Sequence, residues 1–216
     1  MTYTGHVEAG SGVPAVRELP GLRVSKVSVG DMDNACYLLE CTASGDQLLV
    51  DAADRSDVLL PLAPRLRTVV TTHQHWDHTR ALEAVAASTG VITIAGTLDA
   101  DAIPVAPDRR VEQGDEITVG EQSLRVIHLR GHTPGSIALH WQNGEESHLW
   151  TGDSLFPGGV GNTQQDATRF TQLIDDVSAR IFDVLPDRTW VYPGHGDDTT
   201  LGAERPHLEE WRERGW

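Results

Sequence analysis

Residues 71–80 read "TTHQHWDHTR". Three histidines and one aspartate fall within it at His73, His75, Asp77 and His78. A short β-branched run, "RTVVTTH" (67–73), leads into this cluster, and a helical pattern, "TRALEAVAASTG" (79–90), leads out of it, with Gly90 placed to close the helix. The cluster therefore lies at a strand-to-helix junction, where a rigid strand positions side chains and a loop leaves them open. His73 and His75 are two apart. If the extended geometry continues, their rings point the same way, while Asp77 and His78 fall on the turn beyond. One strand end can thus present two adjacent sets of donors. Imidazole and carboxylate suit zinc, and also iron or manganese. At this chain's own His and Asp frequencies the pattern HxHxDH arises by chance in about one chain in 500. That rarity disfavours a merely solvated polar loop.

Three further residues share the setting. His132 lies in "LRGHTPGS" (129–136), Asp153 in "LWTGDSLF" (149–156) and His195 in "VYPGHGDD" (191–198). Each follows a strand pattern and adjoins a glycine, where backbone can approach a bound ion closely. Alone, each reads as an ordinary turn residue. With the first cluster they make seven donors: His73, His75, Asp77, His78, His132, Asp153 and His195. That count suits two ions sharing one bridging carboxylate. His128, His140 and His148 fall in or at the start of strand patterns, and His6 and His207 lie near the ends. These five read as structural or surface residues.

Outward from the cluster, the chain alternates β-rich and helical segments. Residues 1–21 are rich in Gly, Pro and small polar residues and read as an N-terminal arm, with a single domain over 22–216. "LRVSKVSVG" (22–30), "NACYLLEC" (34–41) and "DQLLVDA" (46–52) read as strands, the last two joined by "TASG" as a hairpin turn. "DRSDVLLPLAPRL" (54–66) reads as a short helix and "VITIAG" (91–96) as a strand; residues 102–115 read as loop. "EITVG", "SLRVIHLRG", "SIALHWQNG" and "SHLWTGD" form a second run of strands between 116 and 153. "DATRFTQLIDDVSARIFDVLP" (166–186) is the longest helix pattern, with apolar Phe170, Leu173, Ile174, Val177, Ile181 and Val184, and "TWVYPG" (189–194) is a last strand. Two mixed sheets with helices outside would satisfy this order.

Composition narrows the partners. The net charge is −15 over 216 residues, which argues against nucleic acid or an anionic membrane as the main partner. Lys26 is the only lysine, the other basic residues being arginine. No apolar run reaches the roughly 18 residues of a membrane span, and the start shows no basic region followed by an apolar core. Cys36 and Cys41 are five apart on an extended pattern and so face opposite ways, which favours two buried free thiols over a disulfide. A reducing, cytoplasmic location is the expectation.

With HxHxDH, "GHTPGS", "TGDSLF" and "PGHG" in this order, the sequence resembles the metallo-β-lactamase-fold superfamily, and within it the glyoxalase II-like (hydroxyacylglutathione hydrolase-like) metallohydrolases. The resemblance runs from about Leu22 to Leu201. It implies an α/β fold, a four-layer αββα sandwich, with two divalent metal ions at one edge of the sheets. His73, His75 and His132 would bind the first, Asp77, His78 and His195 the second, and Asp153 would bridge them. Asp51, in "LLVDAAD" (48–54), matches a family aspartate that orients the ligands from behind. Zinc is the first expectation for the metal, with iron or manganese as alternatives.

The implied chemistry is attack of a bridging hydroxide on a thioester or ester carbonyl, with Asp77 orienting it. Coordination lowers the pKa of water from about 15.7 towards about 7, so the nucleophile exists near neutral pH. Zinc β-lactamases themselves lack an aspartate bridge, so antibiotic hydrolysis is not the expected activity. Two departures bear on the substrate. Glyoxalase II adds a C-terminal helical region that helps bind glutathione, whereas this sequence runs 21 residues past His195, as a compact form would. Glyoxalase II also carries a lysine and an aromatic shortly after "GD", where this chain reads "GDSLFPGGVGNTQQD" (152–166), with Asn162 and no lysine. A small-molecule substrate is expected, a thiol ester or an ester, with the thiol carrier left open. Arg169 is the nearest downstream candidate for a carboxylate contact. Arg80 and Arg130 flank the cluster and either meet an anionic substrate or lie at the surface. Trp76 either lines the pocket mouth or packs at the helix start. Trp211 and Trp216 either clamp the tail or meet another subunit. Three alternatives stand beside the hydrolase: a persulfide dioxygenase-like enzyme with one iron on the first ligand set, a lactonase, and a non-catalytic metal-binding module.

Overall fold

The structure is a computed structural model that describes residues 2–215. The alternating segments form the strands that the sequence calls for. β1 (Ala15–Leu19), β2 (Leu22–Val29), β3 (Asn34–Cys41), β4 (Gln47–Val50), β5 (Leu66–Thr71), β6 (Ile92–Gly96) and β7 (Arg109–Val111) make one sheet in that order. Its first half is antiparallel. From β4 onward it is parallel, with α1 (Ser56–Leu62) and α2 (Leu82–Thr89) as the crossovers. Gly90 ends α2 in the left-handed conformation, φ 64°, that its lack of a Cβ permits.

The second sheet takes β8 (Glu116–Val119), β9 (Gln122–His128), β10 (Ile137–Asn143) and β11 (Glu146–Gly152) as an antiparallel meander. A small hairpin of β12 (Leu155–Phe156) and β13 (Gly159–Val160) follows, then α3 (Ala167–Val177). β14 (Trp190–Pro193) then pairs parallel with β11, and β15 (Thr199–Thr200) closes the edge. Two short helices end the chain, α4 (Leu201–Glu204) and α5 (Leu208–Arg214).

Three apolar clusters define four layers. Leu22, Val24, Leu39 and Leu48 meet Leu124, Leu139, Trp141 and Trp150 between the sheets. Val27, Leu38, Leu49 and Val69 meet Leu59, Leu82 and Val85 of the helices outside the first sheet. Ile127, Leu149 and Val191 meet Phe170, Leu173, Ile174 and Trp211 outside the second. This is an αββα sandwich. Strand periodicity explains how one short segment feeds two cores. In β3, Cys41 joins the inter-sheet cluster and Cys36 the helix-side cluster, and both thiols are free and buried. Between the sheets Trp150 stacks on Tyr192, with centroids 4.9 Å apart and planes 7° apart. Such a pair adds about 0.5–1.5 kcal/mol beyond its area burial.

Three segments differ from the sequence reading. The arm expected over 1–21 includes a strand, because Pro20–Gly21 forms a tight connection, φ 91° at Gly21, that folds β1 back on β2. "AVREL" alternates too weakly to announce itself as a strand. The loop expected over 102–115 contains β7, a three-residue edge strand with two arginines, too short and charged to read. The long helix pattern yields α3 and then one wider, π-type turn over Ser178–Phe182. Trp211 is buried against Phe182 and so clamps the tail to its own chain. Trp216 lies outside the described residues.

The sandwich turns the C-terminal ends of β4, β5, β9, β11 and β14 to the same edge. Asp51, the 73–78 cluster, His132, Asp153 and His195 follow those five strand ends.

Candidate metal centre

The seven donors converge there. His73, His75 and His132 bring three ring nitrogens together, and Asp77, His78 and His195 bring a carboxylate oxygen and two ring nitrogens; each set fits within 4.8 Å. His73 Nε2 lies 3.1 Å from His75 Nδ1 and 3.3 Å from His132 Nε2. On the other side His78 Nε2 lies 3.1 Å from His195 Nε2, and Asp77 Oδ2 lies 3.3 Å from His195 Nε2. Asp153 stands between the sets. Its Oδ1 is 3.3 Å from His78 Nε2, and its Oδ2 is 3.6 Å from His132 Nε2 and 3.4 Å from His195 Nε2.

These distances test whether an ion fits. Donors about 2.0–2.1 Å from a tetrahedral zinc sit about 3.3–3.4 Å from one another. The donor pairs here span 3.1–3.6 Å. Asp153 Oδ1 is buried without a hydrogen-bond partner among the described residues, a costly state for a carboxylate oxygen unless a cation takes it. Glycine makes the approach possible. A Cβ on Gly194 would stand 2.2 Å from Asp153 Oδ1 and 2.7 Å from His78 Cε1.

Four of the five inward nitrogens, those of His73, His78, His132 and His195, are aimed by a bond on the far side of the ring. His78 Nδ1 donates to Asp51 Oδ2 at 2.8 Å. His73 Nδ1 lies 3.1 Å from Thr72 Oγ1, which donates in turn to Asp51 Oδ2. His132 Nδ1 donates to the Asn162 carbonyl and His195 Nδ1 to the Met32 carbonyl, each at 2.8 Å. With those N–H groups outward, it is the inner nitrogen of each ring that offers a lone pair once the imidazole is neutral. Asp51 reaches its position through a left-handed backbone, φ 57°, a strained state for a residue other than glycine.

The two sets differ electrostatically. Burial lowers the proton affinity of His73, His75 and His132, so all three favour the neutral, ligating form. Burial would lower His78 as well, but the carboxylates of Asp153 and Asp51 outweigh it and push it well up. His195 rises to about 10 against the same burial, through hydrogen bonds to Asp153 and Asp77. Asp77 is held well below the usual carboxylate range. Burial opposes this, but bonds from His195 and Asn34 and the charge of His78 prevail.

Two carboxyl-facing residues escaped the sequence reading. Asp99, after β6, is fully buried. It accepts from the Gln74 and Gly135 amides and the Thr133 hydroxyl, so it ties the loop between His73 and His75 to the loop that carries His132. Asn34, at the start of β3, donates to Asp77 Oδ2 at 3.0 Å. "GTLDADA" and "DMDNACY" carry no motif that marks either residue. The three flanking arginines are engaged. Arg130 forms a fork on Asp176. Arg169 donates to the carbonyls of Gly131 and His132. Arg80 pairs with Asp54 and lies 3.9 Å over the Trp76 ring, which is exposed rather than packed inside.

A family profile described as the metallo-beta-lactamase superfamily matches residues 29–195, more than half of the chain. This chain belongs to the metallo-beta-lactamase superfamily. Among its relatives, a hydroxyacylglutathione hydrolase of Rhodospirillum rubrum is 36% identical over 166 residues, which is 76% of this chain and 62% of that protein. The chain thus spans less than two thirds of the length of that relative. A B3 metallo-beta-lactamase, BLEG-1, superposes with a TM-score of 0.76 at 24% identity over 87% of this chain and 99% of its own, a likeness of fold. TTHA1623, solved in a di-iron-bound form, superposes with a TM-score of 0.70 at 29% identity over 83% of this chain and 96% of its own. The superfamily match ends at His195, the last of the seven donors. No helix among the described residues is long and apolar enough to cross a membrane.

Proposed function

We propose that this chain is a dinuclear metallohydrolase acting on a thioester or ester carbonyl, with chemistry like that of the hydroxyacylglutathione hydrolases it resembles. The observation that carries the reading is Asp153, a buried carboxylate between two donor sets whose Oδ1 has no hydrogen-bond partner among the described residues. His73, His75 and His132 would hold one ion and Asp77, His78 and His195 the other, with Asp153 available to both. Zinc is the first choice for such imidazole-rich sets. The di-iron-bound relative keeps iron as an alternative, and manganese follows. Bound there, the ions would supply a water acidified towards neutral pH and Lewis-acid polarisation of the carbonyl.

The chain's own residues supply the rest. Asp51 fixes His78 directly and His73 through Thr72, while the Asn162 and Met32 carbonyls fix His132 and His195. Asp77 is ionised at neutral pH and accepts a bond from the attacking water, which turns a lone pair towards the substrate carbonyl. The substrate enters a cavity of about 500 Å³ beside His75 and His132. Leu98 and Pro134 in its wall suit an acyl or alkyl part, and Gln74, Gln164 and Gln172 offer neutral amides. Arg169, bonded to neutral acceptors, adds positive charge to that wall and favours an anionic thiol carrier. The two free, buried thiols support a reducing, cytoplasmic setting.

The test is to purify the protein without added metal, measure zinc, iron and manganese per chain, and assay S-D-lactoylglutathione hydrolysis on the same sample. Two ions per chain with turnover that Asp153→Ala abolishes is the expected result. One iron per chain, no thioester turnover and oxygen uptake with a persulfide would replace this reading with a dioxygenase. Two ions with turnover confined to lactones would move the substrate and keep the centre.

A further inference from the structure

Lys26 sits where β2 calls for an apolar residue. Leu22, Val24 and Lys26 share one face of the strand, and the first two lie in the inter-sheet core. The Lys26 side chain is 1% exposed. Its Nζ donates to the Gly196 carbonyl at 2.6 Å, to Asp198 Oδ1 at 2.7 Å and to the Gly5 carbonyl at 2.8 Å, which uses all three donors. Asp198, equally buried, accepts at Oδ2 from Tyr3 Oη and Trp190 Nε1. The Asp198 amide donates to Gly5, and His6 pairs with Asp197 at the surface.

A buried ion pair gives little or no net stability over an apolar pair of the same volume. This one, however, joins three segments distant in sequence: residues 3–6, β2, and the loop 196–198. That loop begins one residue after His195. We propose that Lys26, with Asp198 and residues 3–6, is a positioning device for His195, holding from beneath the loop whose upper side is bonded to Met32. The proposal rests on the reading of His195 as a metal ligand. By reciprocity, an ion that fixes His195 must also hold the loop closed over Lys26.

The single lysine makes this measurable in the unmodified protein. Acylation of Lys26 by an amine reagent, read by peptide mass, is expected to slow at least about tenfold when zinc is added, as loss of such a supporting contact changes affinity about 10–100-fold. A zinc-independent rate at Lys26 overturns the coupling. The second measurement uses Lys26→Met/Asp198→Asn, which removes both buried charges. In the metal-free variant, amides of residues 194–198 are expected to exchange faster than in the parent while the strands keep native protection. On loading, the second ion should bind about 10–100-fold more weakly and the first as before. Native exchange at 194–198 and native affinity for both ions in the folded variant overturn the proposal. If the parent holds no more than one ion, the dinuclear reading fails instead, and exchange at 194–198 still decides the role of Lys26.

Discussion

The two donor sets on either side of Asp153 are built from different chemistry. The first is three imidazoles whose proton affinity burial lowers. Its loops are tied together by Asp99, and Arg169 anchors the His132 loop to α3. The second mixes one carboxylate with two imidazoles that neighbouring carboxylates push upward. It is held by Asp51, Asn34 and the Met32 carbonyl. Without an ion, the first set is already neutral and open, whereas the second holds protons that an ion must displace. The two ions should therefore bind with unequal affinity and unequal pH dependence.

The largest effect is expected where both sets meet. Asp153→Ala removes a carboxylate whose Oδ2 lies 3.6 Å from His132 Nε2 and 3.4 Å from His195 Nε2. Loss of a residue one step removed from a metal costs about 10–100-fold, and a shared ligand should cost more. Hydrolysis is expected to fall by more than about 100-fold, with the second ion lost from the metal count. A variant that keeps both ions and most of its turnover would show that the halves work independently.

Asp99→Ala should strike one half. It frees the Gln74 and Gly135 amides and the Thr133 hydroxyl, and so loosens His73, His75 and His132 together. The first ion is expected to weaken about 10–100-fold in chelator competition while the second is nearly unchanged. Equal weakening of both would mean that the first-set loops also support the second set.

The contrast between the halves was only partly legible in the sequence. The convergence of the seven candidate donors was, because ligand chemistry restricts residue type and the strand-end glycines mark where backbone must approach closely. Gly194 shows this best, since even a methyl group there would strike Asp153 and His78. The layered fold was legible because β2, β8 and β9 alternate apolar and polar residues while β3 to β6, β10 and β11 are short, largely apolar runs. The supports were not. Met32 and Asn162 act through backbone carbonyls, which any residue would supply. Asp99 and Asn34 reach their partners only through the folded topology, across 25 to 43 positions of sequence. Lys26 stood out as the only lysine, but nothing in the linear sequence placed it under the His195 loop, 170 positions away.

Acidification should separate the halves without mutation. His195 is pushed up to about 10 and His78 well up, so both are protonated at neutral pH when no ion is bound. Each proton that an ion expels makes its affinity fall about tenfold per pH unit as pH drops. The first-set imidazoles lie below their ordinary value of about 6.5 and are already neutral, so their affinity stays flat down to about that pH. Lowering pH from about 8 to about 6 at fixed free zinc should therefore release the second ion first. Isothermal titration in buffers of different ionisation enthalpy should show proton release on binding the second ion and little on binding the first. Simultaneous loss of both ions would end the distinction.

The smallest effect is expected at Asn34. Its amide donates to Asp77 Oδ2, while its own Oδ1 is buried without a partner among the described residues. Asn34→Ala removes one of several groups that hold Asp77, leaving His195 and the charge of His78 to orient it. The second ion should weaken by about tenfold, the low end for a supporting contact, and the first should not change. Asn34→Asp tests the direction of that support. A second carboxylate beside Asp77 would raise the proton affinity of the pair, so the loss should deepen as pH falls. If Asn34→Ala instead weakens the second ion as much as Asp99→Ala weakens the first, Asp77 depends on Asn34 rather than on His195. The two halves would then be matched in how strongly each leans on a single buried side chain.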